Sequence, residues 1–376
     1  MRAFILEKNQ QANNLIRALL AILLCILAAC APEQKPPATA LQSSPGVADS
    51  LQIDIEDPKV LLPSLNQQIQ LSPRNYALYE ERSQVHYQLG HTAEAIADIE
   101  KAIELFPQGP ELHYLRGFYA FMENDTALAL KQYRMSIDMG SDNAENLYQI
   151  GQIFFFQQKY VPALKHYQQA ARSDSLQPAY VLAQGVLYQA QRQYEKAAQA
   201  YEQSLKIDST FSKALIALHD LYLGAYKQPE KAIGYIDRLI HINPGHALAR
   251  FHKGNYHLNR ALAITSEAQI DRYRDEINNA VVEYSIAVQR DSKLAQAWYN
   301  RGYCYFLADD KYDAAIADFE RAIERKPDYA EAHFMLGSIY ERFGDPAAAL
   351  RYYRAALGAK PDFDAAATAI RELETL

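Results

Sequence analysis

The sequence predicts an all-α chain, a solenoid of about eight two-helix units, and three observations carry that reading. Alanine recurs at 95, 129, 163, 197, 232, 280, 315 and 349, at intervals of 34, 34, 34, 35, 48, 35 and 34 residues. A fixed period of this length is the mark of a stacked helical array. Four residues after each alanine stands a large apolar side chain: Ile99, Tyr133, Tyr167, Tyr201, Ile236, Tyr284, Phe319 and Tyr353. Twelve residues before most of them stands a glycine: Gly117, Gly151, Gly185 and Gly337, with Gly254 and Gly302 displaced by insertions. Within each unit the apolar residues follow helical spacing in two runs parted by polar turn residues, so each unit reads as two antiparallel helices. The small residues permit close helix approach, and the rings fill the space between.

At the N-terminus, Arg2, Lys8 and Arg17 precede an apolar run of fourteen residues, Ala18–Ala31. As a helix it reaches only ~21 Å, against a hydrocarbon core of ~30 Å, which is short for a span and right for a secretory signal. The tetrad Leu27-Ala28-Ala29-Cys30 resembles the lipobox of bacterial lipoproteins. That resemblance implies a signal peptide over residues 1–29 and lipid carried by Cys30 as the new first residue. Cys25 follows Ile22-Leu23-Leu24, too bulky for the same pocket. Ala31 rather than Asp after the cysteine implies the outer membrane, with the chain facing the periplasm and surface exposure left open. The competing reading is an ordinary cleaved signal in which Cys30 is incidental. Residues 30–52 then form a tether: Ala31–Ser50 has four prolines, one glycine and no aromatic, too little apolar surface to offset chain ordering. At ~3.1 Å per residue it reaches ~60 Å.

Residues 53–75 read as an N-terminal half-repeat, because Leu61, Leu65, Ile69 and Pro73 keep the repeat register. Pro63 is expected to interrupt its helix. Eight full units begin at Tyr76, Pro110, Ala144, Pro178, Ser212, Ala247, Ala295 and Ala330. Pro107, Pro244, Pro327 and Pro361 end second helices; Ser141, Ser175, Ser209 and Ser292 stand there in the other units, in turn-forming runs. The last unit, "AEAHFMLGSIYERFGDPAAALRYYRAALGAKPDF", carries Leu336, Gly337, Tyr340, Gly344, Ala349, Tyr353, Ala356 and Pro361. The preceding one carries Trp298, Gly302, Tyr305, Tyr312, Ala315, Phe319, Ala322 and Pro327.

These residues resemble the tetratricopeptide repeat family over residues 76–363, which implies a right-handed α-solenoid. The fifth unit departs most, with His219 where glycine is expected and Leu239 for the later alanine. Residues 364–376 read as a C-terminal capping helix, with Ile370, Leu373 and Leu376 on one stripe. The interval of 48 places about fourteen extra residues in unit six, at 259–275. Two helical turns are ~7.2 residues, so the insertion is expected to lengthen both helices by two turns. Thr265-Ser266 would mark the turn, with Ser266 as a helix cap. A protruding hairpin that meets a partner or a second copy and a plain loop extension stand as equal readings.

Charge and motifs narrow the function. Without Arg2, Lys8, Arg17 and Glu7, the 38 basic and 45 acidic residues become 35 and 44, a net charge of −9. Such a chain without a Lys/Arg cluster suits no nucleic acid. Cys304 is the one thiol left beside Cys30 in the mature chain, which leaves no disulfide framework, and its register gives it a packing role. No G-x-S-x-G, H-E-x-x-H, G-x-G-x-x-G or C-x-x-C occurs, so neither an enzyme nor a cofactor is expected. The pairs His86/His91, His241/His246 and His252/His257 are five apart, about 140° on a helix, away from the i, i+4 spacing a metal prefers. No metal is expected from them.

The family resemblance implies that positions 2, 5, 9 and 12 of each first helix line a concave groove. Those positions include Tyr114, Phe118, Phe121, Tyr148, Phe155, Phe251, Asn255, Tyr299, Tyr303, Phe306 and Phe334. Large rings give much contact area for little entropy, which suits peptides or helices with apolar anchors. Phe118 and Tyr303 stand out because position 9 usually carries a polar Asn. The family's chaperone-tail clamp needs Lys and Asn at positions 5 and 9 of the first repeat; Glu80 and Gln84 stand there instead. The reading is a membrane-anchored scaffold that binds other proteins. The alternatives are a glycan- or peptidoglycan-fragment-binding lipoprotein and a structural homo-oligomer.

Overall fold

The computed structural model describes residues 58–141, 143–308 and 311–375. The expectations for the signal peptide, Cys30, the tether and Leu376 fall outside the described residues. Those residues form eighteen helices and no strand. None of the helices is long and apolar enough to cross a membrane.

The described residues divide into two compact bodies, one within 58–217 and one within 218–375. The first contains α1 (Pro58–Leu71), α2 (Tyr76–Gln88), α3 (Thr92–Leu105), α4 (Pro110–Met122), α5 (Thr126–Asp138), α6 (Ala144–Phe156), α7 (Tyr160–Ser173), α8 (Pro178–Ala190) and α9 (Tyr194–Ile207). Helix α10 (Ser212–Gly224) crosses the boundary in sequence. The second body contains α11 (Pro229–Ile242), α12 (Ala247–Leu262), α13 (Ile270–Arg290), α14 (Ala295–Leu307), α15 (Tyr312–Arg325), α16 (Ala330–Arg342), α17 (Pro346–Ala359) and α18 (Asp364–Glu374). From α1 to α9, and again from α11 to α18, each helix packs on the next.

Local chemistry sets the helix ends. Asn75, Asp125, Asn143 and Asp345 cap α2, α5, α6 and α17 by accepting from backbone N–H groups at 2.9–3.2 Å. Pro110, Pro178, Pro229 and Pro346 open their helices, where a missing N–H costs nothing. Between α6 and α7, Gln158 N–H donates to Phe155 O at 2.8 Å and Lys159 N–H to Phe154 O at 2.8 Å, a turn that satisfies the last carbonyls of α6. After α7, α9 and α13 the turn-maker is the aspartate beside the serine. Asp174, Asp208 and Asp291 accept from the N–H two residues on, at 3.0, 2.8 and 2.9 Å.

The helix pairs close on one repeated contact. A Cβ placed on Gly151, Gly254 or Gly337 would fall 2.6 Å from the ring of Tyr167, Tyr284 or Tyr353, and one on Gly117 would fall 2.9 Å from Tyr133. Gly185 meets Tyr201 in the same way, and Gly302 meets Phe319. All six rings are buried. The two units without this glycine carry Ser83 and His219 in its place, and there the buried partner position holds Ile99 or Ile236 instead of a ring. Serine with isoleucine keeps the summed volume close to that of glycine with tyrosine, as close packing demands, whereas histidine with isoleucine exceeds it. Cys304 is fully buried, and burial pushes its thiol well up, in keeping with a packing role.

Two expectations are corrected. Helix α1 runs through Pro63 without a break, burying Leu65 and Ile69. Pro63 lies on the exposed face near the helix start, so the lost bond falls where water replaces it. The insertion lengthens its two helices unequally. Helix α12 has 16 residues and α13 has 21, where other first helices have 13 and most other second helices 14. The α13 extension matches two turns; that of α12 is about one. Residues 263–269 join them through a short 3-10 turn, Glu267–Gln269, and Gln269, not Ser266, precedes α13.

The glycine contact gives a signed prediction. Gly151→Ala should lower stability, because overpacking costs ~1–3 kcal/mol against the ~1 kcal/mol that alanine gains in a helix. Gly234→Ala, where a Cβ meets nothing within 4 Å, should raise it. Urea unfolding midpoints of the two variants check the opposite signs.

Candidate functional site

The ten aromatic positions marked from sequence do not form one class. Phe118, Phe121, Tyr148, Tyr299 and Tyr303 are buried and belong to the core. This corrects the expectation for Phe118 and Tyr303 above all, which are 1% and 2% exposed. Phe118 lies edge-on to Tyr87 with centroids 5.2 Å apart, and Tyr303 stacks between Tyr299 and Phe306, each 6.4 Å away. A ring at position 9 gains more by joining these clusters than by facing water. Tyr148 lies 5.2 Å from Tyr180, Tyr299 lies 4.9 Å from Tyr329, and Phe121 joins the cluster around Tyr133. The other five, Tyr114, Phe155, Phe251, Phe306 and Phe334, are half-buried: each has one side on the core and some surface left over.

A second constellation, absent from the sequence-derived site, lies in the body of residues 218–375. His219 on α10 is buried, and its ring centroid lies 4.5 Å from that of His252 on α12. His219 Nδ1 and Asp220 Oδ1 are 2.8 Å apart, a hydrogen bond. Each of the three residues offers a ligand-capable atom, all within 4.8 Å of one another. Among the described residues no other group of three does so. The cluster opens into a cleft of about 230 Å³, also lined by Glu230, Ile233, Tyr256 and Arg260. Tyr256 donates to Glu230, and Arg260 donates to the Tyr256 hydroxyl at 3.0 Å. Burial, with the His219 ring beside it, pushes the His252 imidazole down to about 4.

Spacing rules missed this cluster because His219 and His252 belong to different units. The available signal was the anomaly at residue 219, where six of the other seven units carry glycine. Spacing also misjudged His86 and His91, whose Nδ1 atoms lie 3.4 Å apart. The first helix ends at Gln88, and the turn through Gly90 brings His91 back toward His86.

Fold and pairwise packing define a class first: an all-α array of stacked helix pairs. Within it, residues 81–144, 148–210 and 306–362 match the model of the tetratricopeptide repeat family. The stretch between, 211–305, holds His219 and the lengthened helix pair. The solved Cut9–Hcn1 hetero-tetramer of the APC/C is similar at a TM-score of 0.50 and 14% identity, over 80% of this chain and 56% of that one. This chain therefore spans little more than half the length of that structure. A tetratricopeptide repeat protein from Parabacteroides merdae is similar at a TM-score of 0.46 and 16% identity, over 71% of this chain and 99% of that one. YrrB, described as a tetratricopeptide repeat protein with an unusual peptide-binding site, follows at 0.39 and 20%, over 54% and 97%. At such identities the likeness speaks to fold alone. No curated protein matches the chain in sequence. The matches indicate no catalytic family; proteins of the matched repeat family generally bind other proteins.

The depressed His252 sets a pH dependence. Between its ordinary value of ~6.5 and about 4 the unfolded chain binds the proton and the folded one does not, so stability falls as pH drops through that window. Asp220, His219 and His246 are the charged or titratable groups that act on it, with Glu230 and Arg260 lining the same cleft. Trp298, the single tryptophan, reports the unfolding of this body. His252→Gln should lose about 2 kcal/mol less stability than the parent between pH 7 and 4.5, read from Trp298 fluorescence in urea.

Proposed function

We propose that this chain is a protein-binding scaffold held by lipid on Cys30 to the periplasmic face of a bacterial outer membrane. Residues 30–52 act as the tether, and the repeats gather partner proteins by gripping apolar anchors of extended or helical segments. The observation that carries the binding reading is the set of half-buried rings at Tyr114, Phe155, Phe251, Phe306 and Phe334. Each is fixed by the core on one side, so a partner that covers the rest gains apolar burial with little further loss of entropy. The observation that supports the anchor is the Leu27-Ala28-Ala29-Cys30 tetrad behind its apolar run.

Two measurements test the halves separately. Cys30→Ser should move the protein from the membrane fraction to the soluble fraction; an unchanged membrane pool would contradict the anchor. Phe155→Ala with Phe306→Ala should remove most proteins captured by crosslinking in intact cells, while the far-ultraviolet circular dichroism of the purified variant still shows a folded helical chain. Undiminished capture would contradict binding through these rings.

A further inference from the structure

We infer that His219, Asp220 and His252 form a binding site for one divalent transition-metal ion of the zinc class. The donor set is two imidazoles and one carboxylate, which suits zinc, nickel, cobalt or copper and not magnesium or calcium, both of which prefer all-oxygen shells. The geometry is close to what such an ion needs. Zinc holds imidazole nitrogen and carboxylate oxygen at ~2.0–2.2 Å, which sets ligand atoms a little over ~3 Å apart in a tetrahedron. Here the His219–Asp220 pair is already at 2.8 Å, and every ligand atom lies within 4.8 Å of the others. Side-chain torsions close that gap. Asp220 is exposed and His252 half-buried, so both have room to turn, while His219 is 3% exposed and fixed.

The surroundings also fit. All three ligands stand on helices, so no loop ordering is required for binding. His219 and His252 both line the cleft, so solvent reaches the site, and Glu230 and Tyr256 line it with them. The site is particular to unit five. Position 8 elsewhere is glycine or serine, and only here does an imidazole occupy it, opposite Ile236 rather than a ring. A repeat that needed nothing but packing at that position would be served by glycine and tyrosine, as in its neighbours.

Equilibrium dialysis of the untagged full chain against zinc tests the site, with magnesium as the control. The expected result is one zinc per chain at saturation and none of the magnesium. His252→Gln and Asp220→Asn should each weaken zinc binding at pH 7 at least tenfold while leaving the metal-free Trp298 transition at that pH in place; Asp220 is exposed and His252 is not fully buried, so neither change empties a core site. Zinc should also raise the Trp298 unfolding midpoint of the parent and not of His252→Gln. No stoichiometric zinc would overturn the assignment, as would zinc bound equally by the parent and both variants, which would place the ion elsewhere.

Discussion

A ring resting on a glycine holds six of the eight helix pairs together. Gly117, Gly151, Gly185, Gly254, Gly302 and Gly337 give up a side chain so that Tyr133, Tyr167, Tyr201, Tyr284, Phe319 and Tyr353 can occupy the space. The helices approach closely, the rings bury almost their whole area, and several hydroxyls still find partners. Tyr201 donates to Gln189 at 2.7 Å and Tyr284 to Asn255 at 2.7 Å. The contact fixes the rotation of each second helix against its first. It thereby decides which first-helix residues face the core and which keep free surface.

The first unit shows the same constraint from the other side, and the fifth departs from it. Where Ser83 replaces glycine the ring becomes Ile99, and where His219 does so it becomes Ile236. In the first unit the exchange has a small polar consequence, a 3.2 Å contact between the Ser83 and Tyr119 hydroxyls. In the fifth it places an imidazole inside the array, next to His252 and beside a cleft. Arg82 with Asp98, and Arg301 with Asp318, add a second register-locked device. Each arginine makes two hydrogen bonds of 2.6–2.8 Å to its nearly buried aspartate, at the same position in units one and seven. Burial raises the Asp318 carboxyl, and Arg301 works against that shift. Such a pair is better evidence of fixed register than of net stability.

Much of the fold was legible because the repeat shows itself eight times. The period, the alanine–ring pairs and the proline and serine breaks place the first helices at Tyr76, Pro110, Ala144, Pro178, Ser212, Ala247, Ala295 and Ala330. The candidate site was legible only in part. A first helix in a stack is covered on more than one side, so periodicity marks its apolar residues without saying which are sealed. Phe118 and Tyr303 are sealed; Phe155 and Phe306 are not. The His219–His252 contact lay between units, beyond any spacing rule for one helix. The unequal growth of α12 and α13 was hidden because an insertion length fixes a sum of two extensions and not their division.

The central claim is that glycine and ring form one packing unit whose volumes are set together. A double-mutant cycle on Gly151 and Tyr167 tests it most directly, with the naturally occurring serine–isoleucine combination of unit one as the replacement. Gly151→Ser and Tyr167→Ile should each destabilise the chain, and the double variant should be more stable than the sum of the two losses predicts, by ~1 kcal/mol or more. Strict additivity would contradict the claim, since it would mean that the ring and the glycine are placed independently of each other.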